Sequence, residues 1–189
     1  MSAQDSKLFV ISGPSGSGKG TLVTRVRERR SKLGLTVSAT TRAPRKGEVD
    51  GVNYFFLTRE EFDRRVANGE FVEWAEVHGN CYGTLVSEVQ SKLASGSSLI
   101  LEIDVQGALQ VKERFPEAVL IFIKPPSLEV LRERLVGRGT ETPETIELRM
   151  ANAADELALA DRYDDVVVND DLDRATDELV RVLDMHERI

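Results

Sequence analysis

The chain is poor in the residues that build metal centres and covalent staples. Its 189 residues hold one cysteine, Cys81, and two histidines, His78 and His186. An internal disulfide is excluded, and a cysteine–histidine zinc site would lack ligands. No apolar run is long enough to cross a bilayer, and the polar stretch Met1–Lys7 reads as no secretory signal. Basic residues are outnumbered, 25 against 32 acids, for a net charge of −7 and a pI near 5.0. That balance argues against general binding to nucleic acid or to acidic membranes. The expected compartment is the cytoplasm. Repeats and low-complexity linkers are missing too. A content of 41% hydrophobic and 30% charged residues fits one globular domain.

What the chain does have is a concentration of glycine near its start. Residues 12–21 read Ser-Gly-Pro-Ser-Gly-Ser-Gly-Lys-Gly-Thr, directly after the apolar run Leu8–Ile11. A strand that ends in such a turn, followed by a lysine and a helix start, is suited to a nucleotide polyphosphate. Glycines let the backbone wrap with its N–H groups inward, the helix adds its positive end, and Lys19 reaches the outer phosphates. Lys7–Ile11 is the β-prone run, and Leu22 and Val26 sit at helical spacing within Thr21–Arg30. Gly13, Gly18 and Lys19 have the spacing of a phosphate loop, but Gly20 stands where a hydroxyl is expected, and Thr21 follows one step later.

Strand and helix then alternate. A short strand is expected over Thr36–Ala39, and an irregular loop over 40–57 that ends in Tyr54-Phe55-Phe56. Thr58-Arg59-Glu60-Glu61 is a capping box for a helix that keeps Phe62 and Val66 on one face and stops at Gly69. Phe71–Val77 alternates weakly, and Val86, Val89 and Leu93 mark a helix ending at Gly96. Ser98–Ile103 and Ala118–Ile123 read as buried parallel strands, each followed by a helix, Val105–Phe115 and Leu128–Val136. Thr142-Pro143 opens a long polar helix, with a last strand at Tyr163–Val168 and a last helix at Leu172–Met185. The alternation implies a parallel sheet covered on both faces, with ligands beyond the carboxyl ends of its strands. The loop at 12–21 and Asp104 both fall at such ends.

Further motifs sharpen the expectation. Ser38-Ala39-Thr40-Thr41-Arg42-Ala43-Pro44-Arg45-Lys46-Gly47-Glu48, Phe71-Val72-Glu73-Trp74-Ala75-Glu76 and Gly79-Asn80-Cys81-Tyr82-Gly83-Thr84 follow the glycine loop. Glu102-Ile103-Asp104-Val105-Gln106-Gly107, Gly137-Arg138-Gly139-Thr140-Glu141-Thr142 and Val168-Asn169-Asp170-Asp171 continue in order. Together they resemble guanylate kinase, over residues 6–186. The resemblance implies an α/β fold: a P-loop parallel sheet flanked by helices, with an inserted mixed α/β GMP-binding region and a helical lid. The expected core is 6–37, 88–126 and 159–186, the GMP-binding region 38–87 and the lid 127–158. The implied activity is ATP-dependent phosphorylation of GMP, and of dGMP, to the diphosphate, in purine nucleotide metabolism and GMP recycling. Mg2+ is the implied cofactor.

Residue by residue, the resemblance assigns ATP to Gly13, Pro14, Ser15, Gly16, Ser17, Gly18, Lys19, Gly20 and Thr21, with Asn169 near adenine. Thr21 is the expected metal contact, directly or through water. Arg42 and Arg45 correspond to the pair that grips the GMP phosphate, a task suited to the planar guanidinium fork. Tyr54 and Tyr82 correspond to tyrosines that bond the same phosphate. Glu73 corresponds to the residue that reads the base: guanine offers two adjacent donors that one carboxylate accepts, whereas adenine would oppose it with a lone pair. Ser38, Gly83, Thr84 and Asp104 fall around the same nucleotide, and Leu85 stands where relatives carry a second hydroxyl. Arg138 and Arg149 correspond to lid arginines that close over the transferring phosphate, with Arg134 assisting.

Bland readings stand beside these. Arg132 and Glu76 read as solvated charges, Trp74 and the two histidines as packing or exposed residues, and Asp104 as a helix cap whatever else it does. Two rival functions remain: a non-catalytic module of the same shape that binds phosphorylated partners, and a kinase for another small phosphate acceptor. Lys19, Arg138 and Arg149 argue against the first, and Glu73 with Tyr82-Gly83-Thr84 against the second.

Overall fold

The computed structural model describes residues 6–77, 79–137, 139 and 142–187. Among them two sheets form. The larger joins β1 (Leu8–Ser12), β2 (Gly34–Leu35), β7 (Leu99–Glu102), β8 (Val119–Lys124) and β9 (Asp165–Val168) in the order β2-β7-β1-β8-β9. Every pairing in it is parallel. β1 is central, with Phe9 opposite Ile100 on one side and Val119 on the other. Alternate side chains of β1 point to opposite faces, and both faces are apolar, so the strand reads as a continuous hydrophobic run.

Each face of the sheet carries its own core. Leu8, Val10, Leu101, Leu120 and Phe122 pack on Val105, Ala108 and Val111 of α4 (Val105–Arg114). Phe9, Ile11, Ile100 and Ile121 pack on Leu22 and Val26 of α1 (Lys19–Arg29) and on Leu179 and Leu183 of α7 (Leu172–Glu187). Sheet and helices thus form the three-layer α/β arrangement that the alternation of elements implied.

The second sheet has the order β4-β3-β6-β5, built from β3 (Ala39–Thr40), β4 (Phe55–Phe56), β5 (Phe71–Val77) and β6 (Asn80–Leu85). It encloses a smaller core of Ala39, Phe62, Phe71, Cys81 and Leu85, to which α2 (Arg59–Ala67) contributes Phe62. The Phe62 and Phe71 rings stack with centroids 4.3 Å apart. The strand expected over Thr36–Ala39 is not one strand. The chain pairs with the large sheet at Gly34–Leu35, leaves it, and joins the second sheet at Ala39–Thr40. Backbone pairing partners, not local propensity, decide where each of these two-residue strands lies.

Of the helices next to the small sheet, α3 (Val86–Ala94) touches β6 there and β7 of the large sheet, and α4 packs against β5. A third cluster joins Leu131 and Leu135 of α5 (Leu128–Gly137) to Ile146 and Ala153 of α6 (Pro143–Leu157). Thr142 caps α6 by accepting from Thr145 N, with Pro143 in the first turn. Thr58 caps α2 in the same way through Glu61 N. Arg132 pairs with Glu147 across α5 and α6 at 2.6 Å, an exposed contact that fits its reading as a surface charge. Among the described residues no helix is long and apolar enough to cross a membrane.

Gly83 sets the spacing of the second sheet. A Cβ there would lie 2.8 Å from the Glu73 carbonyl oxygen and 2.9 Å from the Trp74 Cβ. Gly83→Ala is therefore expected to force β5 and β6 apart and to cost about 1–3 kcal/mol. The measurement is the urea unfolding midpoint, which should fall; an unchanged midpoint would contradict this packing.

Candidate active site

Two candidate regions lie beside the carboxyl ends of β1 and β7. The first is the loop between β1 and α1. Gly13 adopts φ 136°, and a Cβ on it would collide with the Ile123 carbonyl of the neighbouring strand. Only glycine lets the chain turn this tightly against β8. Lys19 opens α1 and folds back over the loop, its Nζ donating to Gly13 O at 2.5 Å and Pro14 O at 3.1 Å. The ammonium is thus held against carbonyls of the loop itself.

Three side chains from outside the loop brace it. Asn169, buried at the end of β9, donates from Nδ2 to Ser17 O at 2.8 Å. Arg134 of α5 donates to Asn169 O at 2.8 Å and to Ser17 O at 3.5 Å. Arg149 of α6 donates to Ser15 Oγ at 2.5 Å. A cavity of about 350 Å³ opens beside these groups, lined by Gly16, Gly18, Thr21, Arg134, Asn169 and Asp170 among others. Asn169 and Arg134 lie beside the loop and their contacts go to backbone carbonyls, which no spacing rule reveals.

The second region lies on the small sheet. Glu73 is only 7% exposed and faces Thr84 on the adjacent strand β6, whose hydroxyl donates to Glu73 Oε1 at 2.8 Å. Its carboxyl is pushed up to about 7, chiefly by burial; the Thr84 hydrogen bond opposes this, and the Asp104 charge adds to it. Asp104 caps α4 by accepting from Gly107 N at 2.7 Å. A Cβ on Gly107 would lie 3.2 Å from Glu73 Oε2, so this position must stay small for the carboxylate to sit against the start of α4. The motif 102–107 gives no role to Gly107, because that role depends on a side chain more than thirty residues away in sequence.

Arg42 completes this side. Its guanidinium carbon lies 5.5 Å from the Tyr54 ring centroid and 5.9 Å from that of Phe56. The Tyr54 and Tyr82 rings meet edge to face at 6.2 Å. Arg45 is exposed five residues beyond the end of β3, and the Ser38 carbonyl accepts from Phe55 N, tying β4 to the strand before it. Arg42, Tyr54 and Tyr82 are thus brought together, as are Glu73, Thr84 and Asp104. Arg138 lies outside the described residues, as does His78.

The two regions also sense each other's charge. Glu102, at the end of β7, has its carboxyl raised by burial and lowered by nearby Lys19. Glu156 near the end of α6 is likewise raised by burial, lowered by Lys19 and raised by Asp104. A cation from the loop and carboxylates from both sides therefore share one site. Glu156 carried no sequence signal beyond an acid on a polar helix. Trp74 is 41% exposed and meets Phe62 edge to face, in keeping with its reading as a packing or exposed residue.

Comparison with known proteins agrees with this geometry. The family model described as guanylate kinase matches residues 5–186. A guanylate kinase of Gloeobacter violaceus is 57% identical over 178 residues, which cover 94% of this chain and 87% of that protein. One from Halalkalibacterium halodurans is 51% identical over 183 residues, 97% of this chain and 90% of that protein. The crystal structure of guanylate kinase from Anaplasma phagocytophilum superposes with a TM-score of 0.73 at 36% identity, covering 96% of this chain and 86% of that one.

Proposed function

Because the chain belongs to the guanylate kinase family, we infer that it transfers the terminal phosphoryl group of ATP to GMP, giving ADP and GDP. The observation that carries the choice of acceptor is the buried Glu73 carboxylate, oriented by Thr84 Oγ1 at 2.8 Å. Ionised, it accepts from guanine N1–H and from the exocyclic amino group side by side. An adenine there would leave a buried charge facing a lone pair, which costs several-fold to many-fold in selectivity. Deoxy-GMP presents the same base edge and is an expected second acceptor. The enzyme would then serve purine nucleotide metabolism and recycle GMP.

Phosphoryl transfer asks little covalent work of the protein and much positioning. Residues 13–21 cradle the ATP phosphates with their amides, and Lys19 neutralises charge there, leaving the two loop carbonyls that hold it. Asn169 lies beside the adenine side. Arg42 and Arg45, with Tyr54 and Tyr82, hold the GMP phosphate in line; Ser38, Gly83 and Asp104 fill out the acceptor site. Arg149, and Arg138 from the segment between α5 and α6, supply charge to the transferring group as the lid covers it and excludes water. We take 127–158 as that lid, 38–87 as the acceptor region, and 6–37, 88–126 and 159–186 as the core. The separate apolar clusters of the lid helices and of the small sheet support the division.

Mg2+ fits the donor set. This ion keeps several waters and is held by one or two carboxylates plus substrate phosphates, so it needs no closed protein cage. Among the described residues no group of three histidine, cysteine or acidic side chains forms one. The Glu102 carboxylate lies 3.5 Å from where a Cβ on Gly20 would stand, and the Thr21 hydroxyl follows on α1. Glu102 and Thr21 are the residues that would hold the ion, which when bound neutralises phosphate charge. A single buried cysteine suits a reducing compartment, and we assign the enzyme to the cytoplasm.

A coupled assay of ADP release against GMP, dGMP, IMP, AMP, CMP and UMP tests the reading. GMP is expected first, with dGMP also turned over. Turnover of another base ahead of GMP, or binding of GMP without ADP release, would sink it.

A further inference from the structure

Glu48 is an acid set among the groups that would grip an anion. Its side chain is 19% exposed and that of Arg42 16%. Arg42 Nη2 donates to both carboxylate oxygens, at 2.8 Å to Oε1 and 3.0 Å to Oε2. Glu48 Oε2 also accepts the backbone N–H of Arg45 at 2.7 Å, and Glu48 N donates to Arg45 O at 3.0 Å. One carboxylate is thus keyed to the side chain of the first arginine and to the backbone of the second. These bonds hold the Glu48 carboxyl below the usual carboxylate range, with the Arg42 hydrogen bond first among the causes and the Arg45 amide next.

The geometry leaves room for a ligand. A guanidinium carries five N–H donors. Glu48 takes one N–H of Nη2, shared between its two oxygens, Ala43 O takes one on Nη1 at 2.7 Å, and the Tyr82 hydroxyl also hydrogen-bonds the guanidinium. The remaining donors, the other Nη2–H among them, are left for an incoming phosphate, while the Tyr54 and Phe56 rings flank the guanidinium. An unheld arginine side chain carries rotamer entropy that binding would have to overcome. A fork fixed beforehand avoids most of that cost.

We propose that Glu48 is a positioning residue for the acceptor phosphate: it preforms the Arg42 fork and closes the 45–48 turn that aims Arg45. The proposal rests on the acceptor reading of this pocket. Glu48 is not displaced by GMP; it stays on the far edge of Arg42 while the near edge takes the phosphate.

Steady-state kinetics and calorimetry on Glu48→Ala and Glu48→Gln, with Arg42→Ala as reference, test it. Glu48→Ala is expected to raise the KM for GMP about tenfold, with kcat within about threefold and the KM for ATP unchanged. Glu48→Gln, which keeps one acceptor oxygen, should fall between wild type and Ala. In calorimetry Glu48→Ala should weaken GMP but not guanosine, which lacks the phosphate. Tighter GMP binding by Glu48→Ala would mean that the carboxylate competes with the phosphate, and would overturn the proposal. Equal weakening of GMP and guanosine, or a parallel change in kcat and the KM for ATP, would reduce Glu48 to a structural residue and overturn it too. If Arg42→Ala raises the KM for GMP while Glu48→Ala does not, only the positioning role fails. If neither variant changes it, the acceptor reading fails as well.

Discussion

Lys19→Ala is expected to leave the fold intact and to lower the rate of phosphoryl transfer by about 10³-fold or more. The size follows from what the ammonium does. In a water-excluded site, removing one charge-stabilising donor costs roughly 3–4 kcal/mol of transition-state stabilisation. A full positive charge acting on transferring phosphates belongs at the upper end. The fold should survive because the Lys19 hydrogen bonds at 2.5 and 3.1 Å go to carbonyls of the loop itself and its side chain is no part of the apolar core. Leu22, Val23 and Val26, which anchor α1, are untouched. The checks are a thermal melt and a single-turnover measurement of GDP formation. Near-normal turnover in a folded variant would remove the donor-site assignment.

Glu73→Gln should move activity and stability in opposite directions. The glutamine amide would present N–H donors to guanine's own donors, and kcat/KM for GMP should fall by roughly 10²–10³. An acceptor without those donors, such as AMP, should lose much less, so the preference for guanine narrows. Equal losses for all acceptors would contradict the base-reading role. Stability follows from the pKa of about 7 against an ordinary 4.5. A carboxyl raised in the folded state favours folding below its unfolded pKa, and that contribution is lost as pH rises through about 7. At roughly 1.4 kcal/mol per unit of pKa, the ionised Glu73 costs the ligand-free protein about 3 kcal/mol at pH 8. Glu73→Gln removes the charge, and its melting temperature at pH 8 should be higher by roughly 6–12 °C, with little difference near pH 5.

The same displacement predicts a pH profile. Guanine needs the carboxylate form, so kcat/KM for GMP in the wild type should climb as pH rises from 6 to 8, with a step near 7. The phosphate of GMP titrates near pH 6 on its own. Glu73→Gln should keep that lower step and lose the one near 7.

Much of the fold was legible because the large sheet is buried on both faces. Its strands, such as Leu99–Leu101 and Val119–Ile123, have no polar face to hide, and helices between them show their apolar stripes and caps. The small sheet was not. β3 and β4 are two residues each, and β6 reads Asn-Cys-Tyr-Gly-Thr-Leu, without a clean alternation. Its order comes from partners: Thr40 Oγ1 donates to Cys81 O at 2.9 Å, and Cys81 N donates to Thr41 Oγ1 at 2.8 Å. Such pairs join residues about forty apart, and no local pattern encodes them.

By itself the sequence determined the chemistry on offer: a glycine loop with Lys19, a pair of arginines around Pro44, a carboxylate at 73 and another capping a helix at 104. Residue type and spacing carry that much, because a phosphate cradle is local and a motif is contiguous. Only the tertiary structure decided what each group experiences. Gly107 on α4 leaves space for Glu73, whose burial there raises its carboxyl to about 7. Arg134 and Asn169, from α5 and the end of β9, lock the Ser17 carbonyl. Glu48 takes hold of Arg42. Burial, dielectric environment and hydrogen-bond partners are properties of neighbours in space, and those neighbours are set only when the sheets and helices close on one another.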